Sequence, residues 1–123
     1  MRESRMVKKQ VDYKKEVRLL RIENFLLAVL ILGIIMNFIV VKENKGLMPV
    51  LTEAEFETNE HFSFQDKGEV SYWFLGDIIP IGKSISSLGD LLIKGSVGGY
   101  IAIIIYKFVI WFKENSIFPQ KYL

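Results

Sequence analysis

The side chains in this chain that could do chemistry are few and scattered. His61 is the only histidine and there is no cysteine, so neither a thiolate nor a multi-histidine metal site can be assembled, and disulfides are excluded. A single histidine can act as a general base, but it needs a nucleophile within hydrogen-bond reach, and no nearby serine stands in a Gly-x-Ser-x-Gly turn. His61 therefore reads as an exposed loop residue. Glu53, Glu55, Glu57 and Glu60 crowd together and would attract a hard cation such as calcium. Their alternating spacing lacks the Asp/Asn-x-Asp-x-Asp-Gly loop that wraps one, so they read as a charged loop that resists insertion into a membrane. No glycine-rich phosphate loop follows a strand, and no paired carboxylates lie inside an apolar stretch to carry protons. The sequence predicts no catalytic residue, no cofactor and no metal; an enzyme is not expected.

The elements that would carry these residues are dominated by two apolar runs. The first, Phe25–Val41, has no charge and one strongly polar side chain, Asn37. Its seventeen residues reach about 26 Å as a helix, near the short end of what crosses a hydrocarbon core of about 30 Å. Asn24 and the stem of Lys42 can sit at the headgroup boundary and make up the difference. A helix buried in a soluble domain is the competing interpretation, but the chain has too little other apolar material to wrap a helix that is greasy on every face. A cleaved signal peptide would need a shorter leader and a small-x-small exit, whereas the run exits through Lys42-Glu43-Asn44-Lys45-Gly46.

The second run, Gly95–Phe112, is interrupted only by Lys107. That lysine lies six residues before Lys113, roughly 9 Å along a helix, so it can snorkel to water. Trp111 and Phe112, with Tyr106, supply the aromatic belt of that boundary. A second spanning helix is expected, with a helix lying in the interface as the alternative.

Charge sets the orientation. Residues 1–23 hold eight Lys/Arg against four acids, residues 42–83 four against eight, and residues 84–123 four against two. Basic residues mark the cytoplasmic side, so both termini are expected in the cytoplasm of a bacterial inner membrane, with residues 42–83 outside. The leader, residues 1–24, places Val7, Val11, Lys14, Lys15, Arg18 and Ile22 at helical spacing and predicts a basic helix continuous with the first span. It would attract anionic lipid headgroups. Nucleic acid is a poor partner for it, because acids interleave the bases and stacking aromatics are nearly absent.

Between the runs, residues 42–69 read as an acidic extracytoplasmic loop. Thr52–Glu55 fits a capping box, Phe62 and Phe64 around Ser63 predict a short strand, and Asp66-Lys67-Gly68 marks a turn. Residues 70–94 turn amphipathic. Tyr72, Trp73 and Phe74 cluster, and Ile85, Leu88, Leu91 and Leu92 line one face of a predicted interfacial helix. The expected fold is thus an all-α membrane protein: two transmembrane helices, a basic N-terminal helix, an interfacial amphipathic helix before the second span, and a C-terminal tail over 113–123.

Two features inside the spans point to contacts. Gly95, Gly98, Gly99 and Ala102 form small-x-x-x-small pairs that admit a close backbone, and Asn37 can hydrogen-bond across a helix interface. Trp73, Lys107 and Trp111 are the candidate lipid-interface residues. These features suggest a small accessory or structural subunit of a multi-subunit membrane complex in transport, secretion or energy conversion, contacting other integral membrane subunits. A self-assembling holin-like pore former, as a homo-oligomer, and a membrane anchor recruiting an extracytoplasmic partner are the alternatives.

Overall fold

A computed structural model of the chain describes residues 2–115; the part of the expected tail over 116–123 lies outside the described residues. Two long helices, α1 (Arg2–Glu43) and α2 (Leu88–Glu114), flank four strands, β1 (Met48–Leu51), β2 (His61–Phe64), β3 (Asp77–Ile81) and β4 (Ser84–Ser87). Both helices are long and apolar enough to cross a membrane. Most of their large apolar side chains are exposed, among them Phe25, Ile31, Ile34, Phe38, Ile101, Ile104, Phe108 and Phe112. The chain groups into two compact units, one of residues up to Leu27 and from Val97 onward, the other Ala28–Ser96.

The leader and the first apolar run form one helix, α1, because no proline or glycine breaks the pattern before Gly33 and the charged residues keep helical spacing. It ends where Lys45 and Gly46 take positive φ and Asn44 Nδ2 donates to the Val40 carbonyl at 2.7 Å, satisfying an acceptor that the last turn leaves open.

The all-α expectation is corrected by the sheet, whose order is β2-β1-β3-β4. β1 runs parallel to both β2 and β3, and β3 pairs antiparallel with β4 across Gly82-Lys83. Gly82 takes φ +58° there, as a two-residue hairpin requires. The predicted strand around Ser63 is β2, with Met48 paired to His61 and Leu51 to Phe64. The Asp66 turn is a short 3-10 helix over Lys67–Glu69, capped by Asp66 Oδ1 accepting from the Gly68 N–H.

Two prolines concealed β1 and β3. Pro49 and Pro80 argue against strands, but Met48 N donates toward β2, so the nitrogen of Pro49 faces away from that ladder. β1 meets β3 at one residue pair only, Val50 with Asp77, which leaves β3 an edge by the time it reaches Pro80. The interfacial helix over Ser84–Lys94 is a second correction. Ser84–Ser87 form β4 because the Gly82 turn folds them back on β3, and α2 starts only at Leu88, running without a break into the second apolar run. Thr52–Glu55 starts no helix; Thr52 Oγ1 accepts instead from Ala54 N.

The core of the Ala28–Ser96 unit is small. Val40, Met48 and Leu75 are buried together, with Met36 and Val41 against them, and Gly76 admits the approach of Pro49, whose carbonyl oxygen would stand 2.7 Å from a Cβ at position 76.

Candidate functional site

The polar side chains of the Ala28–Ser96 unit gather where β4 hands over to α2. Ser87 is fully buried and caps α2, its Oγ accepting from Asp90 N at 3.0 Å. The same hydroxyl donates to Asn37 Oδ1 at 2.8 Å, and Asn37 Nδ2 donates to Asp90 Oδ1 at 2.8 Å. Both ends of the Asn37 amide are thereby used within the chain. The approach needs two glycines: a Cβ at Gly33 or at Gly89 would stand 2.7 Å from the other's carbonyl oxygen.

Nearby on β3, Asp77 is buried, with 5% of its surface exposed. His61 Nε2 lies 3.5 Å from its Oδ2, and Oδ1 is buried without a hydrogen-bond partner. Burial raises the Asp77 carboxyl to about 6, and the charge of Asp90 adds to the rise; His61, Lys94 and the backbone of Ser87 pull the other way. A carboxyl that titrates near neutrality beside a histidine can hold and release a proton. The pair opens on a groove of about 370 Å³ on the sheet, lined also by Val50, Thr52, Phe56, Thr58, Lys83 and Ile85. Thr58 Oγ1 is spent on His61 O and on the amides of Glu60 and His61, so that hydroxyl is not held as a nucleophile for His61. Among the described residues no three His, Asp or Glu side chains are placed to hold a metal ion.

Gly95, Gly98, Gly99 and Ala102 of α2 separate into occupied and open settings. Gly99 is taken by Leu26, whose methyls lie 3.0 Å from the place of a Cβ, and Ala102 faces a groove with Lys15, Arg18 and Leu19. Among the described residues, Gly95 and Gly98 have nothing within 4 Å of that place. Of the residues assigned to the lipid boundary, Trp73 sits in a short 3-10 turn, Trp73–Leu75, with Lys67 Nζ 4.2 Å from its ring. Trp111 is exposed and stacks on Phe108 at 6.1 Å. Lys107 pairs with Glu23 rather than only reaching for water, and Tyr100 Oη donates to the Glu23 carbonyl at 2.8 Å.

Sequence reasoning had not singled out Gly33, Glu23, Ser87, Gly89, Asp90 or Asp77 as site residues. Gly33 four residues before Asn37, a small-x-x-x-polar pair inside the first apolar run, was a signal for a close helix approach. Asp77 carried none, since its burial follows from strand pairing.

Two helices of membrane-crossing length with a small mixed sheet between them in sequence, and a buried carboxyl on that sheet, define a helical protein with an inserted β-module. Residues 17–106 match DUF5317, a family of unknown function, and the chain belongs to that family. No curated protein and no solved structure matches it.

Proposed function

We propose that this chain is a small, non-catalytic subunit of a larger membrane assembly serving transport, secretion or energy conversion. In this reading α1 and α2 cross a bacterial cytoplasmic membrane, both termini are cytoplasmic and the sheet lies outside. The observation that carries the reading is the open space at Gly95 and Gly98 on a helix where the neighbouring Gly99 already receives Leu26. In lipid, where apolar packing alone gives little preference between helix and solvent, a close backbone approach at small residues is a main source of helix association. The exposed apolar side chains of both helices suit lipid and other helices alike.

Native purification of the tagged chain from membranes in mild detergent, with identification of everything that co-elutes, tests the reading. Stoichiometric integral membrane subunits are expected; a chain running alone as a monomer ends it.

The anchor reading is favoured by a separate observation, the groove on the sheet with the buried Asp77 beside His61. Under that reading the co-eluting protein is soluble and extracytoplasmic, and it is lost when the groove is altered. The pore reading draws no comparable support: Asn37 and Lys107, the polar side chains available for a pore wall, bond to Ser87, Asp90 and Glu23.

A further inference from the structure

In the unit that joins residues up to Leu27 with those from Val97 onward, the apolar C-terminal half of α2 lies beside the charged part of α1. Leu26 packs on Gly99, Glu23 meets Tyr100 and Lys107, and Lys15, Arg18 and Leu19 share a groove of about 360 Å³ with Ala102, Ile103 and Tyr106. A second concavity, of about 390 Å³, lies between Tyr13, Lys14, Val17, Arg18 and Arg21, so Arg18 borders both. Glu23 pairs with Lys107 and Asp77 with His61, and among the described residues neither pair takes in Lys15 or Arg18. The groove thus has a basic rim and an apolar wall.

We infer that this groove seats an anionic phospholipid, with the phosphate on Lys15 and Arg18 and an acyl chain along Leu19, Ala102 and Ile103. A soluble anion would satisfy the two cations and leave the apolar wall wet; an uncharged lipid would cover the wall and leave the cations without a counter-charge. An anionic phospholipid supplies both groups in one molecule, and the anionic leaflet facing the cytoplasm is where the proposed orientation puts the groove. The inference rests on the membrane-spanning reading above.

The test starts from membranes expressing the full chain, wild type or the double variant Lys15→Gln/Arg18→Gln. An alkaline carbonate wash comes first: release of the wild-type chain would refute the spanning reading, and with it the bilayer that supplies the lipid. If the chain is retained, native mass spectrometry in mild detergent reads binding of dioleoyl phosphatidylglycerol, dioleoyl phosphatidylcholine and inorganic phosphate. Phosphatidylglycerol should bind the wild type preferentially. At about fivefold per basic residue, the double variant should bind it about 25-fold more weakly, while Lys8→Gln/Lys9→Gln, on the same leader but outside the groove, should bind as wild type does. An equal loss in both variants would show diffuse attraction to the leader and overturn the groove. So would phosphate competing at the concentration of the lipid, or phosphatidylcholine binding as tightly as phosphatidylglycerol.

Discussion

Asp77 carries free energy that depends on pH. Its carboxyl is buried, one oxygen has no partner, and its pKa stands at about 6 against 3.8 for an unperturbed aspartate. A pKa raised by folding means that the folded state holds its proton more tightly. The stabilisation is therefore complete below about pH 4 and is lost as pH rises through about 6, at a cost on the order of 3 kcal/mol by neutral pH. The groups that set this value are Asp90, which raises it with burial, and His61 and Lys94, which lower it. Asp77→Asn keeps the shape and removes the titration. The purified variant is expected to unfold at a higher temperature than wild type at pH 7.5, and the gap should narrow sharply at pH 4.5. A gap of the same size at both pH values would mean that Asp77 does not titrate in this range. Gly89 is the second such position. Gly89→Ala drives a methyl into the Gly33 carbonyl and the Asn37 amide, so a loss of about 1–3 kcal/mol is expected from overpacking, read as a lower unfolding temperature.

At the scale of elements, the junction between β4 and α2 depends on one hydroxyl. Ser87 caps the helix and holds Asn37, so Ser87→Ala removes a cap worth about 1 kcal/mol and leaves Asn37 Oδ1 without its donor. Faster amide exchange over the first turn of α2 is the expected result; unchanged protection there would assign the start of α2 to strand pairing alone. The glycines of α2 make the opposite kind of prediction. At Gly95 an added Cβ meets nothing within 4 Å among the described residues, and leucine is the better helix former by up to about 1 kcal/mol. Gly95→Leu should therefore leave the isolated chain as stable as wild type or slightly more so, and yet abolish co-purification of partner subunits. Retained partners would place the docking face elsewhere. Gly99→Leu, meeting Leu26, should weaken the chain itself.

For the molecule as a whole, the absence of cysteine makes orientation directly measurable with single introduced thiols. Lys67→Cys should react with an impermeant maleimide added to intact cells, and Lys9→Cys only after permeabilisation; the reverse pattern would invert the proposed topology. What the sequence determined by itself were the properties that depend on neighbours along the chain: two apolar runs long enough to cross a membrane, a basic leader helical in continuity with the first, the strand around Ser63 and the Asp66 turn. Each follows from composition or short periodicity, which no distant contact had to supply. Only the tertiary structure decided that residues 48–87 form a sheet, because two of its strands contain proline and become strands through the register that turns those nitrogens away from a ladder. The same holds for the core. Val40, Met36 and Val41 of α1 complete a cluster that Met48 and Leu75 could not have closed alone, and Asp77, Ser87, Asn37 and Asp90 become one polar group only when β3, β4 and the two helices bring positions fifty residues apart within hydrogen-bond reach. Burial and pairing over that separation are set by the fold's geometry and leave no periodic mark in the sequence.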